Sequence, residues 1–433
     1  MIGLGYLGAV HAAAMAKLGH DVVGVDVDAA KVDALAAGKP PFFEPGLADL
    51  LTEVGSTGRL QVTTDLSAVR GAQVHFVCVG TPQRADGYAA DLTYVDAAVH
   101  SLTSHLSAGE IVVGKSTVPV GTAERLAEVV RCAVPGANLA WNPEFLREGF
   151  AVQDTLSPDR IVYGVPDGEA AVAVTAALDV VYEGPLSADI PRIVTDLPTA
   201  ELVKVAANSF LATKISFINA MAELCEVAGA DVTQLADAIG HDARIGRRFL
   251  NAGLGFGGGC LPKDIRAFMA RAEELNAGEA VAFLGEVDAI NTRRRARMVE
   301  LAGEVLDGAI AGRHVTVLGA SFKPDSDDIR DSPALDVAAR LSELGAVVTV
   351  HDPQAIDNAR AKHPHLHYAR DLEAALAGAD AVLLLTEWRQ YRDLDPEHVG
   401  TLVAQRTILD GRNALSRTAW TDAGWQYRAL GRR

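Results

Sequence analysis

The sequence predicts an α/β protein with two Rossmann-like, doubly wound domains joined by a long central helix. Three observations predict it. Apolar runs of strand length alternate with helical segments through the first half of the 433-residue chain. The same alternation restarts at His314. Between them, from Pro198 to about Gly229, strand-like runs give way to one helical pattern. The expected boundaries are 1–190 for the first domain, 191–300 for a helical central domain and 301–433 for the second α/β domain.

The chain opens on a very short strand. Only Met1 and Ile2 precede Gly3-Leu4-Gly5-Tyr6-Leu7-Gly8, whereas the strand feeding such a turn is normally about five or six residues long. The expectation is a start placed several codons too late, since absence of this central strand would leave the ladders on both its sides unpaired; the alternative is a truncated strand that the large remaining core tolerates. The six residues from Gly3 to Gly8 match the G-x-G-x-x-G fingerprint, and the next eighteen residues supply the rest of its context. A helical run, Ala9 to Leu18, is closed by Gly19, and strand Val22–Val25 ends in Asp26, roughly 20 residues past the glycines. Gly3, Gly5 and Gly8, with Tyr6 and Leu7 between them, would bring a pyrophosphate onto the helix N-terminus. There, free N–H groups and the helix dipole favour it. A carboxylate at Asp26 would bond the ribose hydroxyls and repel a 2′-phosphate, which favours NAD over NADP. A flavin or nucleotide-sugar site can use the same scaffold; the complete context ranks NAD first.

The next strands read as Val74–Val79, Ile111–Lys115, Leu139–Asn142 and Arg160–Gly164, which extends a doubly wound parallel sheet. Ligands of such sheets lie beyond the carboxyl ends of the strands. Three of those ends carry polar punctuation: Gly80-Thr81-Pro82, Ser116-Thr117-Val118-Pro119 and Asn142-Pro143-Glu144-Phe145-Leu146-Arg147-Glu148-Gly149. Ordinary turn chemistry accounts equally well for Thr81 and less well for Glu144.

The central helix is apolar around most of its circumference, as expected of one buried between domains or subunits. Burial against a second copy would satisfy it, so the central part reads as a helical dimerisation domain and the protein as a homodimer. Lys204 and Asn208 lie four apart and share a face of this helix. Lys204 stands among Leu202, Val203, Val205 and Ala206, which points to burial at a site rather than to solvent.

Beyond the helix comes Gly255-Phe-Gly-Gly-Gly-Cys-Leu-Pro-Lys-Asp264. Glycines let backbone and ligand approach closely. The Lys263 ammonium would favour thiolate at Cys260, and the thiolate is the nucleophile. Cys78, Cys132 and Cys225 read as structural. The second α/β unit has strands His314–Gly319, Val347–His351, Ala381–Leu385 and Thr407–Leu409 and a helix from Pro333. Its first turn, Gly319-Ala-Ser-Phe-Lys323-Pro324, lacks the fingerprint. Two nucleotide-type domains with one dinucleotide motif suggest a cofactor on one and a nucleotide-bearing substrate on the other.

Composition excludes several classes. The formal charge of −17 argues against nucleic acid or an anionic membrane as partner. No apolar run approaches ~18–20 residues and no signal peptide opens the chain, so no membrane association is expected. The four scattered cysteines form neither a metal spacing nor a disulfide framework, which fits a cytoplasmic protein. Nine lysines stand against thirty arginines, so Lys115, Lys204, Lys263 and Lys323, each inside a motif, are worth noticing.

A dehydrogenase that stops at a carbonyl needs no cysteine. One that continues to the acid does, because an aldehyde must become a tetrahedral adduct before its remaining hydrogen can leave as hydride. Fingerprint, activated cysteine and carboxylates together suggest alcohol-to-acid oxidation with two NAD and one water.

These motifs, with Lys115-Ser-Thr-Val-Pro119, Glu201-Leu-Val-Lys204 plus Asn208, and Asp328-Ile-Arg-Asp-Ser-Pro333, closely resemble those of the UDP-glucose/GDP-mannose dehydrogenase family over nearly the whole chain. The resemblance implies oxidation of a nucleotide-sugar alcohol to an acid used in polysaccharide assembly. It implies Cys260 as nucleophile, Lys204 and Asn208 as oxyanion stabilisers, and Asp264, Glu144 and Thr117 as the groups that hold or activate water. Thr81, Thr117 and Glu148 would line the nicotinamide, Lys31 the adenosine, and Lys263 and Arg330 would also face the cofactor. Phe145, Leu146, Glu148, Phe249, Leu250, Gly257, Lys323 and Arg412 would contact the nucleotide sugar with Lys204 and Asn208. Arg244 would reach the neighbouring subunit's substrate. Arg244-Ile245-Gly246 looks like the UDP-glucose branch, with GDP-mannose as the alternative within the family. A β-hydroxyacid dehydrogenase or a non-catalytic nucleotide-sugar sensor are the alternatives outside it.

Overall fold

The computed structural model describes residues 1–432, which form two compact units. The first comprises Met1–Ala207 with Arg266–Gly278, the second Asn208–Ile265 with the described residues from Glu279 onward.

In the first unit, β1 (Val22–Val25) pairs in parallel with β2 (Leu60–Thr63). Strands β3 (Val74–Val77), β4 (Ile111–Gly114) and β5 (Asn138–Trp141) form a parallel run. The two sets meet at the start of the chain. Ile2 bridges Val25 on one side and Val77 on the other. Its N–H donates to Phe76 O at 2.7 Å and its carbonyl accepts Cys78 N at 2.8 Å. The two ladders expected to be unpaired are therefore bridged by the short strand itself. Side chains alternate between two apolar cores. Phe76, Ile111 and Val113 pack with the helix Tyr6–Lys17, whereas Val77, Val112 and Leu139 pack with Val95, Leu126 and Val130 from the opposite face.

The sheet is not wholly parallel. Strand β6 (Ile161–Val165) joins β5 antiparallel, with Trp141 opposite Gly164, and β7 (Arg192–Asp196) runs parallel to β6. The connection from β5 spends its residues on the Asn142–Gly149 loop and leaves only the helix Ala151–Leu156. Six residues of helix rise about 9 Å, too little to return past a strand of about 17 Å. The chain therefore re-enters the sheet from the end at which it left.

The second unit holds a six-stranded sheet of order β10-β9-β8-β11-β12-β13. Its members are β8 (His314–Leu318), β9 (Val347–His351), β10 (His367–Tyr368), β11 (Ala381–Leu384), β12 (Thr407–Asp410) and β13 (Gln426–Ala429), all parallel. The order reverses between β8 and β11, which makes a crevice at their carboxyl ends. The helix Leu197–Ala228 has 32 residues, within one position at either end of the span the sequence pattern gives, and extends about 48 Å. Among the described residues no helix is long and apolar enough to cross a membrane, and no cluster of three or more His, Cys, Asp or Glu could hold a metal.

Candidate active site

The fingerprint forms the turn into the helix Tyr6–Lys17, with Gly5 as its N-cap. A Cβ at Gly8 would lie 1.8 Å from the carbonyl oxygen of Gly3, so only glycine closes this turn. Asp26 immediately follows β1, and one of its oxygens accepts Leu4 N at 2.7 Å while the other accepts Asp28 N at 3.0 Å. Lys31 Nζ lies 3.4 Å from both. A glycine cradle at a helix N-terminus with a carboxylate beyond it fits NAD. The Tyr6 hydroxyl is engaged by Glu44 and by Gly149 N, so it ties the fingerprint to the Asn142–Gly149 loop. Glu148, in that loop, is buried.

Within the same unit, Lys204 is buried, as the sequence suggests. Its Nζ lies 3.6 Å from Glu144 Oε2 and 5.5 Å above the ring of Phe145. The other Glu144 oxygen is buried without a hydrogen-bond partner, an acceptor suited to a water or a substrate hydroxyl. Thr81 Oγ1 donates to the Thr117 carbonyl at 2.8 Å, which joins two of the three strand-end loops. Leu146 packs on the core and also lines a cavity with Leu7, His11, Lys115, Asn142 and Glu144.

The second unit carries the cysteine. Cys260 is exposed and immediately precedes the helix Leu261–Glu274, whose positive end favours a thiolate. Its carbonyl accepts Asp264 N at 2.9 Å. Asp264 is 2 % exposed and takes Asn208 Nδ2 at 2.7 Å and Lys263 Nζ at 2.5 Å. The Lys263 charge is thus shared with Asp264, and the helix N-terminus adds its own field at the cysteine. Gly258 has φ +85°, and a Cβ there would come 2.8 Å from the ring of Phe322. The sequence reads the loop glycines as room for a ligand; at Gly258 the neighbour is protein.

Several predicted contacts gather around this loop. Arg412 donates to Gly255 O at 2.9 Å and to Leu385 O at 2.7 Å. The Arg330 carbonyl accepts Gly258 N at 2.8 Å, and its guanidinium pairs with Asp328 at 2.6 Å. Gly257 packs against the Asp331 carbonyl, and Lys323 Nζ lies 5.5 Å above the Phe322 ring. Phe249 holds a left-handed φ of +66°, strain of the kind that clusters at ligand sites. Two predicted contacts stand apart. Leu250 is 1 % exposed and packs with Ile218 and Ala222, so its side chain serves the core rather than a ligand. Arg244 pairs with Asp242 at 2.6 Å and otherwise faces solvent, with its side chain 89 % exposed.

Sequence reasoning missed a buried brace. Lys115 Nζ donates to Asn142 Oδ1 at 2.9 Å, Tyr182 OH reaches the same oxygen at 2.5 Å, and Asn142 Nδ2 holds Val162 O at 2.8 Å. Burial pulls the Lys115 ammonium down to about 8. A lysine inside a strand-end motif of a lysine-poor chain was the available signal; Tyr182, remote in sequence, gave none.

A largely parallel sheet with a complete fingerprint, together with a second sheet of nucleotide-binding order, defines a dinucleotide-binding class of protein. The chain belongs to the UDP-glucose/GDP-mannose dehydrogenase family: the NAD binding domain of that family matches residues 1–184, its central domain 198–293 and its UDP binding domain 316–417. It is 42 % identical to the UDP-glucose 6-dehydrogenase TuaD of Bacillus subtilis, over all of this chain and 92 % of that one. It is also 42 % identical to the UDP-glucose 6-dehydrogenase of Rhizobium meliloti, over all of this chain and 99 % of the relative. The solved UDP-glucose dehydrogenase of the archaeon Pyrobaculum islandicum matches with a TM-score of 0.90 at 40 % identity, over all of this chain and 97 % of that structure.

Proposed function

We propose that the protein is a UDP-glucose 6-dehydrogenase. It converts the C6 hydroxymethyl group of UDP-glucose to the carboxylate of UDP-glucuronate. The reaction consumes two NAD⁺ and one water and releases two NADH and three protons. Full-length likeness to enzymes of that name supports the substrate. The observation that carries the chemistry is Cys260 at a helix N-terminus, one turn before the buried Asp264–Asn208 pair.

NAD, when bound on the Gly3–Gly8 turn, supplies the hydride acceptor. After the first oxidation the Cys260 thiolate adds to the C6 aldehyde, giving a thiohemiacetal whose oxyanion Lys204 and Asn208 stabilise. Loss of the second hydride leaves a thioester on Cys260. Water, held by Glu144, Thr117 and Asp264, cleaves it to the acid and frees the thiol. Glu144 suits this role because one of its oxygens has no protein partner. Asp26 and Lys31 hold the adenosine side, Thr81 and Glu148 the nicotinamide side, with Lys263 and Arg330 beside it. Phe249, Gly257, Lys323 and Arg412 frame the nucleotide sugar with Phe145 and Leu146, and Leu250 does so through its backbone.

The same reading organises the chain as 1–190, 191–300 and 301–433 and makes it a cytoplasmic homodimer. Phe210, Phe217 and Leu224, seven apart on the long helix, are 66 %, 48 % and 61 % exposed, an apolar stripe that a second copy would cover. In the dimer the exposed Arg244 would serve the partner's site. The test is product analysis: with NAD, UDP-glucose should yield UDP-glucuronate and GDP-mannose no acid. Oxidation of GDP-mannose alone would contradict the reading.

A further inference from the structure

We propose that Glu201 is a positioning residue: it holds the loop that carries Thr117 in register with Lys204. This rests on the functional reading above. Glu201 stands three residues before Lys204 on the long helix and is 2 % exposed. Its Oε2 accepts Gly121 N and its Oε1 accepts Ala123 N, each at 2.7 Å. Those N–H groups begin the helix Thr122–Ala133, whose own N-cap, Gly121, offers no side-chain bond. The cap comes instead from a segment 78 to 80 residues away.

A local Ser or Thr would cap this helix start without burying a carboxylate. The cost of burial is visible, since it pushes the Glu201 carboxyl up to about 7 despite the bonds from Ala123 and Gly121. The surrounding charges do not offset it. Glu124 on the capped helix raises the carboxyl further, and Arg271 directs its Nε to the Val120 carbonyl at 2.9 Å. What the remote cap provides is register: the turn after Pro119 cannot slide along the Lys204 helix without losing two bonds.

The other end of the same loop is fixed as firmly. Ser116 Oγ donates to Val79 O at 2.6 Å, and Lys115 grips Asn142, the first residue of the segment that carries Glu144. Thr117 therefore lies in a loop pinned at one end to the helix of Lys204 and at the other to the segment of Glu144. Lys204 and Glu144 themselves meet at 3.6 Å. Supporting residues of this kind keep reacting groups in a productive geometry that packing alone leaves loose.

The test compares Glu201→Gln with wild type. Glutamine keeps the shape but sets an amide NH₂ against one of the two N–H groups, so one bond is lost and that donor is left unpaired. With UDP-glucose and NAD, kcat should fall about 10- to 100-fold, since a misplacement of about 1 Å at a reacting group can cost about 100-fold. NAD binding, measured by fluorescence titration, should stay within about twofold, as expected when only a transition-state interaction is lost. An unchanged kcat overturns the proposal. So does a parallel loss of kcat and NAD binding, which marks a general structural defect. If the glutamine variant does not fold, Glu201→Asp takes its place; one methylene shorter, it reaches a single N–H and should lower kcat with NAD binding intact, and normal turnover overturns the proposal. Failure of the functional reading is separately visible, because wild type would then form no NADH from UDP-glucose.

Discussion

At Cys260 the backbone provides what a nucleophilic thiol needs, an exposed position at the start of a helix of 14 residues. Cys260→Ser is expected to lower steady-state turnover by more than about 1000-fold, because serine at its free pKa is a far weaker nucleophile. Binding of NAD and UDP-glucose should be nearly unchanged in calorimetric titrations, and a serine variant that makes UDP-glucuronate at the wild-type rate would refute the covalent route. Asp26→Ala should lower the NAD-over-NADP ratio of kcat/KM by about 10- to 100-fold, the worth of hydrogen bonds to a charged group. An unchanged ratio would remove Asp26 from the cofactor site. Glu201 predicts a stability effect of definite sign. Its folded carboxyl lies near 7 against an ordinary 4.5, so its contribution is fully present below about 4.5 and is lost as pH rises through about 7. Glu201→Gln should flatten that part of the Tm–pH curve, and an unaltered curve would contradict the assignment. At this scale the sequence was most informative about residues within motifs. It paired Lys204 with Asn208 by helical spacing, yet could not foresee that Glu201 caps a helix some 80 positions away, because remote hydrogen bonds leave no local pattern.

The long helix Leu197–Ala228 carries Glu201, Lys204 and Asn208 in its first half and the exposed Phe210–Phe217–Leu224 stripe beyond them. In the proposed dimer, chemistry and assembly would share this one element. Phe217→Asp should convert a dimer to monomers by placing a charge in the apolar stripe, and light scattering on both proteins checks it. A wild-type protein that is monomeric and active at assay concentration would contradict the dimer. Buried strands were legible because their apolar runs are continuous: β4, β6 and β11 have no exposed residue. Strands β2, β7, β10 and β13 were not read, for a physical reason. They are partly exposed, and β10 has two residues, so their sequences lack both a long apolar run and clean alternation. The antiparallel entry of β6 was equally hidden, since strand direction depends on how far the preceding helix travels.

Across the whole molecule, one unit bears the fingerprint and the Lys204–Glu144 pair, and the other bears Cys260, Asp264 and the second nucleotide-type sheet. Two binding folds with a single fingerprint were readable from the sequence, as was the exposed cysteine on which the proposed four-electron oxidation depends. In the proposed reaction, one protein takes an alcohol to an acid through a cysteine adduct. The most direct measurement is the number of NADH formed per UDP-glucose consumed, followed at 340 nm with limiting UDP-glucose and excess NAD. Two NADH per UDP-glucose is the predicted result. One would mean an oxidation that stops at the aldehyde, and none a protein that binds the nucleotide sugar without reacting; either contradicts the account.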